Sequence, residues 1–181
     1  NAFPQIHWRC MAHVQSFINN LDMIGALKKS GCDEVFIGIE SGSPEIRRKI
    51  QKAGSIEDVI RCVESLLQVG ISVKGYFICG FPGETAQQIN ETVNLALMLK
   101  RIEGSLNASF RASAFQFRPY HGTKLYNEIT ASGHHPIFIN GDELTSTKKQ
   151  YNFSSGNYSC ISNDVLAKSI HAIITGGHLF V

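Results

Sequence analysis

Three short segments collect residue types that can hold and orient a ligand. The first is Gly38-Ile39-Glu40-Ser41-Gly42-Ser43. Glu40 follows an apolar run, which sets its carboxylate at the end of a buried strand. There it can accept paired hydroxyls such as a ribose offers; capping the next helix, whose N-terminus favours negative charge, is the alternative. Gly42 permits close backbone approach. The second segment is Gly75–Thr85, GYFICGFPGET. Its glycines let a flat ligand such as adenine lie against bare backbone, with Ile78 and Cys79 as an apolar wall. An ordinary strand-to-helix turn explains the same residues, and Glu84 can serve only the helix start. The third is Phe115–Thr123, FQFRPYHGT. Gln116 and Arg118 alternate with aromatics, so the two kinds of side chain leave a strand on opposite faces. An inward Arg118 can meet a carboxylate; a solvated arginine just past a strand is the competing reading. Phe115 and Phe117 read as core.

Each segment ends a strand-like run. Glu34–Glu40 is apolar and β-branched enough for a strand buried on both faces, and Ser72–Cys79 and Ser109–Arg118 follow it. Gln5–Cys10 precedes them. Successive starts lie about 30 to 40 residues apart, room for one crossover helix each. The helices carry their own signals. Ser16–Ser30 has Phe17, Leu21, Ile24 and Leu27 at helical spacing and stops at Gly31. Ser43-Pro44 is an N-cap with proline at the first position. Ser55 with Asp58 opens a helix over Glu57–Val69, and Thr85 with Gln88 forms a capping box. Lys124–Ala131 and Asn163–Thr175 are further helices, the last capped by Gly176; Ser132–Ser162 reads as a polar loop. Apolar strands alternating with amphipathic helices predict an α/β fold, a partial (β/α) TIM-like barrel of parallel strands with outer helices. The expected division is a partial barrel over 1–131 and a polar loop with a C-terminal helix packing on it over 132–181.

Composition narrows the classes. The chain has 181 residues, 43% hydrophobic and 18% charged, which is a globular balance. A net charge of +2 argues against a dedicated nucleic-acid or anionic-membrane surface. No apolar run approaches the roughly 20 residues of a membrane helix, and no signal peptide is visible, so a cytoplasmic setting is the expectation. The five cysteines are odd in number and widely spaced, unlike a disulfide framework. The N-x-S/T matches at Asn90, Asn107, Asn152 and Asn157 read as chance. His134-His135 has no Cys or carboxylate at ligand spacing. His7, Trp8 and Arg9 read as packing more than as a site. No Ser-His-Asp set, P-loop or G-x-G-x-x-G is present. A strand beginning almost at Asn1 is the pattern of a piece of something longer.

In this order and spacing, the three segments resemble the radical SAM superfamily over about Gln5 to Tyr126. GIESGS resembles its ribose-binding strand, GYFICGFPGET its adenine-contacting strand and turn, and FQFRPYHGTKLY its sixth-strand region, with His121 where a second proline is common. The wording is similar to cobalamin-binding members and to the methylthiotransferase-like group. The resemblance implies that Glu40 and Ser41 contact the ribose or amino group of S-adenosylmethionine (SAM). It implies that Lys52 lies near the SAM carboxylate, that Ile78 and Gly80 flank the adenine, and that Gln116 and Arg118 face the substrate. A surface lysine is the alternative for Lys52.

The departure is the CxxxCxxC loop that holds the family's [4Fe–4S] cluster. No cysteines here have that spacing, and a cluster needs several thiolates converging on a small volume. The family's Gly-Gly-Glu segment is absent too. The expected reading is the later half of a barrel from an enzyme that cleaves SAM to a 5′-deoxyadenosyl radical. Methyl or methylthio transfer on an unknown small-molecule or macromolecular substrate fits, with cobalamin as a further cofactor of the parent. The piece alone is expected to be inactive, to carry no metal ligands and to self-associate through its open barrel edge. The rival readings are a non-catalytic SAM- or nucleoside-binding module and an unrelated α/β barrel enzyme.

Overall fold

Burial along the third strand alternates strictly: Val73, Gly75, Phe77 and Cys79 are buried, and Ser72, Lys74, Tyr76 and Ile78 are half-exposed. One face of the sheet therefore carries the core, and the other is a separate surface. The structure is a computed structural model, and it describes residues 6–133 and 156–177. Its strands are β1 (Trp8–Ala12), β2 (Cys32–Glu40), β3 (Ser72–Cys79) and β4 (Phe110–Gln116). They pair in parallel in the order β1-β2-β3-β4, as strand-helix alternation predicts.

The crossovers are α1 (Val14–Ile18) with α2 (Leu21–Lys29), then α3 (Pro44–Lys49) with α4 (Ile56–Gln68), then α5 (Ala86–Lys100). After β4 come α6 (Lys124–Ala131) and α7 (Asn163–Thr175). Val35, Ile37, Ile39, Val73 and Phe77 of the sheet pack with Val63 and Leu66 of α4, Val93 and Leu99 of α5, and Leu166 and Ile173 of α7. Each such side chain contributes about 1.5–3 kcal/mol when fully buried, so one continuous core fixes the sheet against these helices. Both capping boxes form, at Ser55/Asp58 and Thr85/Gln88, and Gly176 closes α7 in the left-handed region.

Several boundaries differ from expectation. Ser16–Ser30 is two helices, because Asn20 takes a non-helical conformation (φ −145°, ψ 62°) and its side-chain amide bonds back to the Ser16 carbonyl. β1 lies later than Gln5–Cys10, where it registers with β2 from Trp8–Cys32 to Ala12–Ile37; Gln5 falls outside the described residues. β4 stops at Gln116, as Pro119 nearby has no N–H to extend a ladder. β2 is buried on one face rather than two: Phe36 and Gly38 lie on the face that no layer of described residues covers. His134, His135 and most of the expected polar loop lie outside the described residues. The loop's described end is anchored, with Gly83 N–H bonding to Tyr158 O at 2.8 Å and Cys160 N–H to Glu84 O at 2.9 Å.

Candidate functional site

The end of β2 is built around an unusual backbone. Pairing with β3 shifts between Gly38 and Glu40, and Glu40 sits at φ 68°, a region that costs a non-glycine residue energy. This turns its carboxylate back over Gly38, where an added Cβ would overlap it. Lys52 Nζ donates to Glu40 Oε1 at 3.1 Å, and the two side chains are 16% and 23% exposed. The mouth thus holds an opposed carboxylate and ammonium, half out of water, where each can trade its partner for a ligand group.

Arg47 holds that conformation in place. It is 3% exposed, and its guanidinium donates to the carbonyls of Ile39 (2.7 Å), Ser41 (3.3 Å), Ala53 (3.2 Å) and Gly54 (2.8 Å). Burial lowers its pKa from the ordinary arginine value, against the raising pull of Glu40. Ser41 points the other way, into α5. Thr92 Oγ1 gives its proton to Gln88 O, so Ser41 Oγ–H donates to Thr92 Oγ1 (3.0 Å) and accepts Ser43 N–H. Gly42 N–H bonds to the same Thr92 oxygen at 2.9 Å.

The end of β3 is the second wall. Gly80 takes φ 87°, which frees the chain to fold over Glu84, a fully buried carboxylate. Glu84 Oε2 accepts Gly80 N–H at 2.5 Å and Phe81 N–H at 3.0 Å. Burial pushes its pKa up to about 7, opposed by those two N–H groups and by Lys49. Ile78 projects from the other face. With Phe81, Phe115, Phe117, Arg118 and Tyr120 it lines a hollow of about 480 Å³, within the range of small-molecule sites. Arg118 therefore belongs to this rim. Gln116 lines it too, while its amide donates to Gly156 O at 2.8 Å and its Oε1 is buried without a partner among the described residues.

The three segments thus share one edge, the C-terminal ends of adjacent parallel strands, which is where α/β folds place ligands. Glu40, Lys52, Ile78, Gln116 and Arg118 lie there. Ser41 and the Gly80 amide are engaged within the protein, in the α5 contact and the Glu84 turn. His13 is an addition. It follows β1 as the N-cap of α1, and its pKa is lowered by burial, then by Lys52 and Arg47, with Glu40 opposing. His7, Trp8 and Arg9 lie at the opposite ends of the strands, His7 hydrogen-bonded to Asp33, Trp8 to the Ser30 carbonyl, and Arg9 ion-paired with Glu34 at 3.7 Å. Among the described residues no three His, Cys, Asp or Glu side chains could hold a metal. The cysteines are free thiols, and burial pushes Cys62 up to about 12. The described residues do not fit an iron–sulfur cluster.

Comparison with known proteins gives the family and the fold. The Radical SAM superfamily model matches residues 7–96. An uncharacterized methyltransferase of Pyrococcus horikoshii is 32% identical over 127 residues, 70% of this chain and 26% of that protein. The threonylcarbamoyladenosine tRNA methylthiotransferase MtaB of Thermotoga maritima is 29% identical over 58% of this chain and 23% of its own. In fold, the radical S-adenosylmethionine methyltransferase TsrM of Kitasatospora setae, solved with cobalamin and a [4Fe–4S] cluster, aligns with TM-score 0.64 at 17% identity. That alignment covers 92% of this chain and 36% of TsrM. The chain spans about a quarter of the length of the curated relatives it matches. The sheet and its helices correspond to part of such a TIM-like barrel.

Proposed function

Because this chain belongs to the radical SAM superfamily, whose members use SAM and a [4Fe–4S] cluster, we propose that its strand ends bind SAM within a methyl- or methylthio-transferring enzyme. Glu40 accepts the ribose hydroxyls, and Lys52 meets the SAM carboxylate as a point charge. Ile78 supplies an apolar wall for the adenine, and Arg118 and Gln116 face the substrate side. Ser41, Arg47 and Gly80 act one step back by holding these groups where they are. A [4Fe–4S] cluster, where bound in such an enzyme, would supply the electron for radical chemistry on SAM. The described residues offer no cluster ligands, so this chain's part is to bind, orient and exclude water.

The observation that carries the reading is the half-buried Glu40–Lys52 pair folded over Gly38 at a parallel strand end. Both ends of SAM's polarity, hydroxyls and a zwitterion, find a complement in it. Titrating SAM into the chain by calorimetry tests this. Wild type should take up about one equivalent, and Glu40→Gln and Lys52→Met should each weaken binding about tenfold, the loss of one charge-assisted contact. Equal affinity in wild type and both variants would remove the proposal. Saturable binding lost in both variants, with no turnover in any longer form of the protein, would favour a non-catalytic nucleoside-binding module.

A further inference from the structure

The rim hollow has a neighbour on the open face of the sheet. Lys74 and Tyr76 of β3, with Ser113 and Phe115 of β4, face Ile170 and His171 of α7 across a groove of about 640 Å³. Phe115 and Gln116 line both spaces, so the two are contiguous. The floor is aromatic. Tyr76 and Phe115 lie nearly parallel, 30° apart with centroids at 6.1 Å, and Phe36 meets Tyr76 edge-on at 6.3 Å. Such rings favour another flat π-system laid against them.

Charge on this face is lopsided. Lys74 Nζ lies 5.3 Å from the Tyr76 centroid. Among the described residues it has no hydrogen-bond acceptor and no carboxylate. Its in-register neighbours are Phe36 and Arg111. The carboxylate on that part of the face, Glu34, is 5% exposed and already held by Arg111 and Arg9. A cation beside an aromatic floor, in a groove walled by Ile170, is complementary to a flat ring that carries an anion.

We propose that this groove binds a planar aromatic carboxylate, its ring against Tyr76 and Phe115 and its carboxylate on Lys74. Assigning that ligand as the acceptor substrate rests on the reading of the strand ends around Glu40 and Lys52 as the SAM site; the groove's own chemistry does not. Fluorescence titration with naphthoate and with its uncharged amide tests it on the whole 181-residue chain. Naphthoate should bind about tenfold tighter than the amide, the worth of one charge-assisted contact. Lys74→Met should erase that preference, and Lys74→Arg, which keeps the charge, should retain it. Tyr76→Ala should weaken both probes together. Equal binding of acid and amide to wild type, no saturable binding of either, or a preference that survives Lys74→Met would overturn the proposal. Naphthoate preference without any SAM binding would support the groove and overturn the SAM reading instead.

Discussion

At the scale of single residues, Glu84 gives the chain a pH signature. Burial raises its pKa from 4.5 to about 7. Between those values the folded chain keeps a proton that the unfolded chain has released, so stability falls as pH rises through the window. The stabilisation is complete below the lower value and gone above the upper one. Across it this group withdraws about 3 kcal/mol, and Glu84→Gln should flatten that part of the profile. Urea unfolding at a series of pH values measures it; a variant with the wild-type slope would contradict the burial of the charge. Glu84 was legible in the sequence only as a helix-start residue, since nothing in GFPGET says that the turn folds over its carboxylate. Arg47 was not singled out at all, although Ser43, Ile46, Arg47 and Ile50 have the spacing of an inward helical face. It is the first of three adjacent basic residues, Arg47 to Lys49, and only the packing separates the buried one from its neighbours. His13 escaped for a similar reason. Its signal is its place, the first residue after β1, and the sequence pattern Gln5–Cys10 ends two residues short of that strand's end at Ala12.

At the scale of elements, the mouth depends on α5 as much as on β2. Gly42 packs so close to α5 that a Cβ would overlap the Glu91 carbonyl, and Thr92 ties both Ser41 and Gly42 to the helix. Thr92→Val keeps the volume and removes the acceptor. It should cost about 1–3 kcal/mol for the Gly42 amide left buried and unpaired, with faster hydrogen exchange at that amide. Unchanged stability and exchange would show that the β2–α3 turn holds itself. The elements themselves were largely readable. β3, α6 and α7 sit where apolar periodicity and caps put them, because their signals are local. What could not be read was tertiary: the break at Asn20, the single-sided burial of β2, and the anchoring of Gly156–Cys160 beneath the β3–α5 turn.

At the scale of the whole molecule, β1 pairs with β2 alone among the described strands, and Met11, 72% exposed, stands on the open face beside it. An unpaired parallel edge next to apolar surface invites pairing with another chain. The expected outcome is concentration-dependent self-association in sedimentation velocity; a strict monomer at high concentration would show the edge to be protected. The proposed function needs three strand ends, adjacent at one edge of this parallel sheet, to act on one ligand. Hydrogen exchange read by mass spectrometry, with and without SAM, tests that convergence most directly. Peptides spanning Gly38–Ser43, Gly75–Phe81 and Phe115–Arg118 should become protected together while those at the opposite strand ends stay unchanged. Protection confined to one of the three, or located elsewhere in the chain, would contradict it.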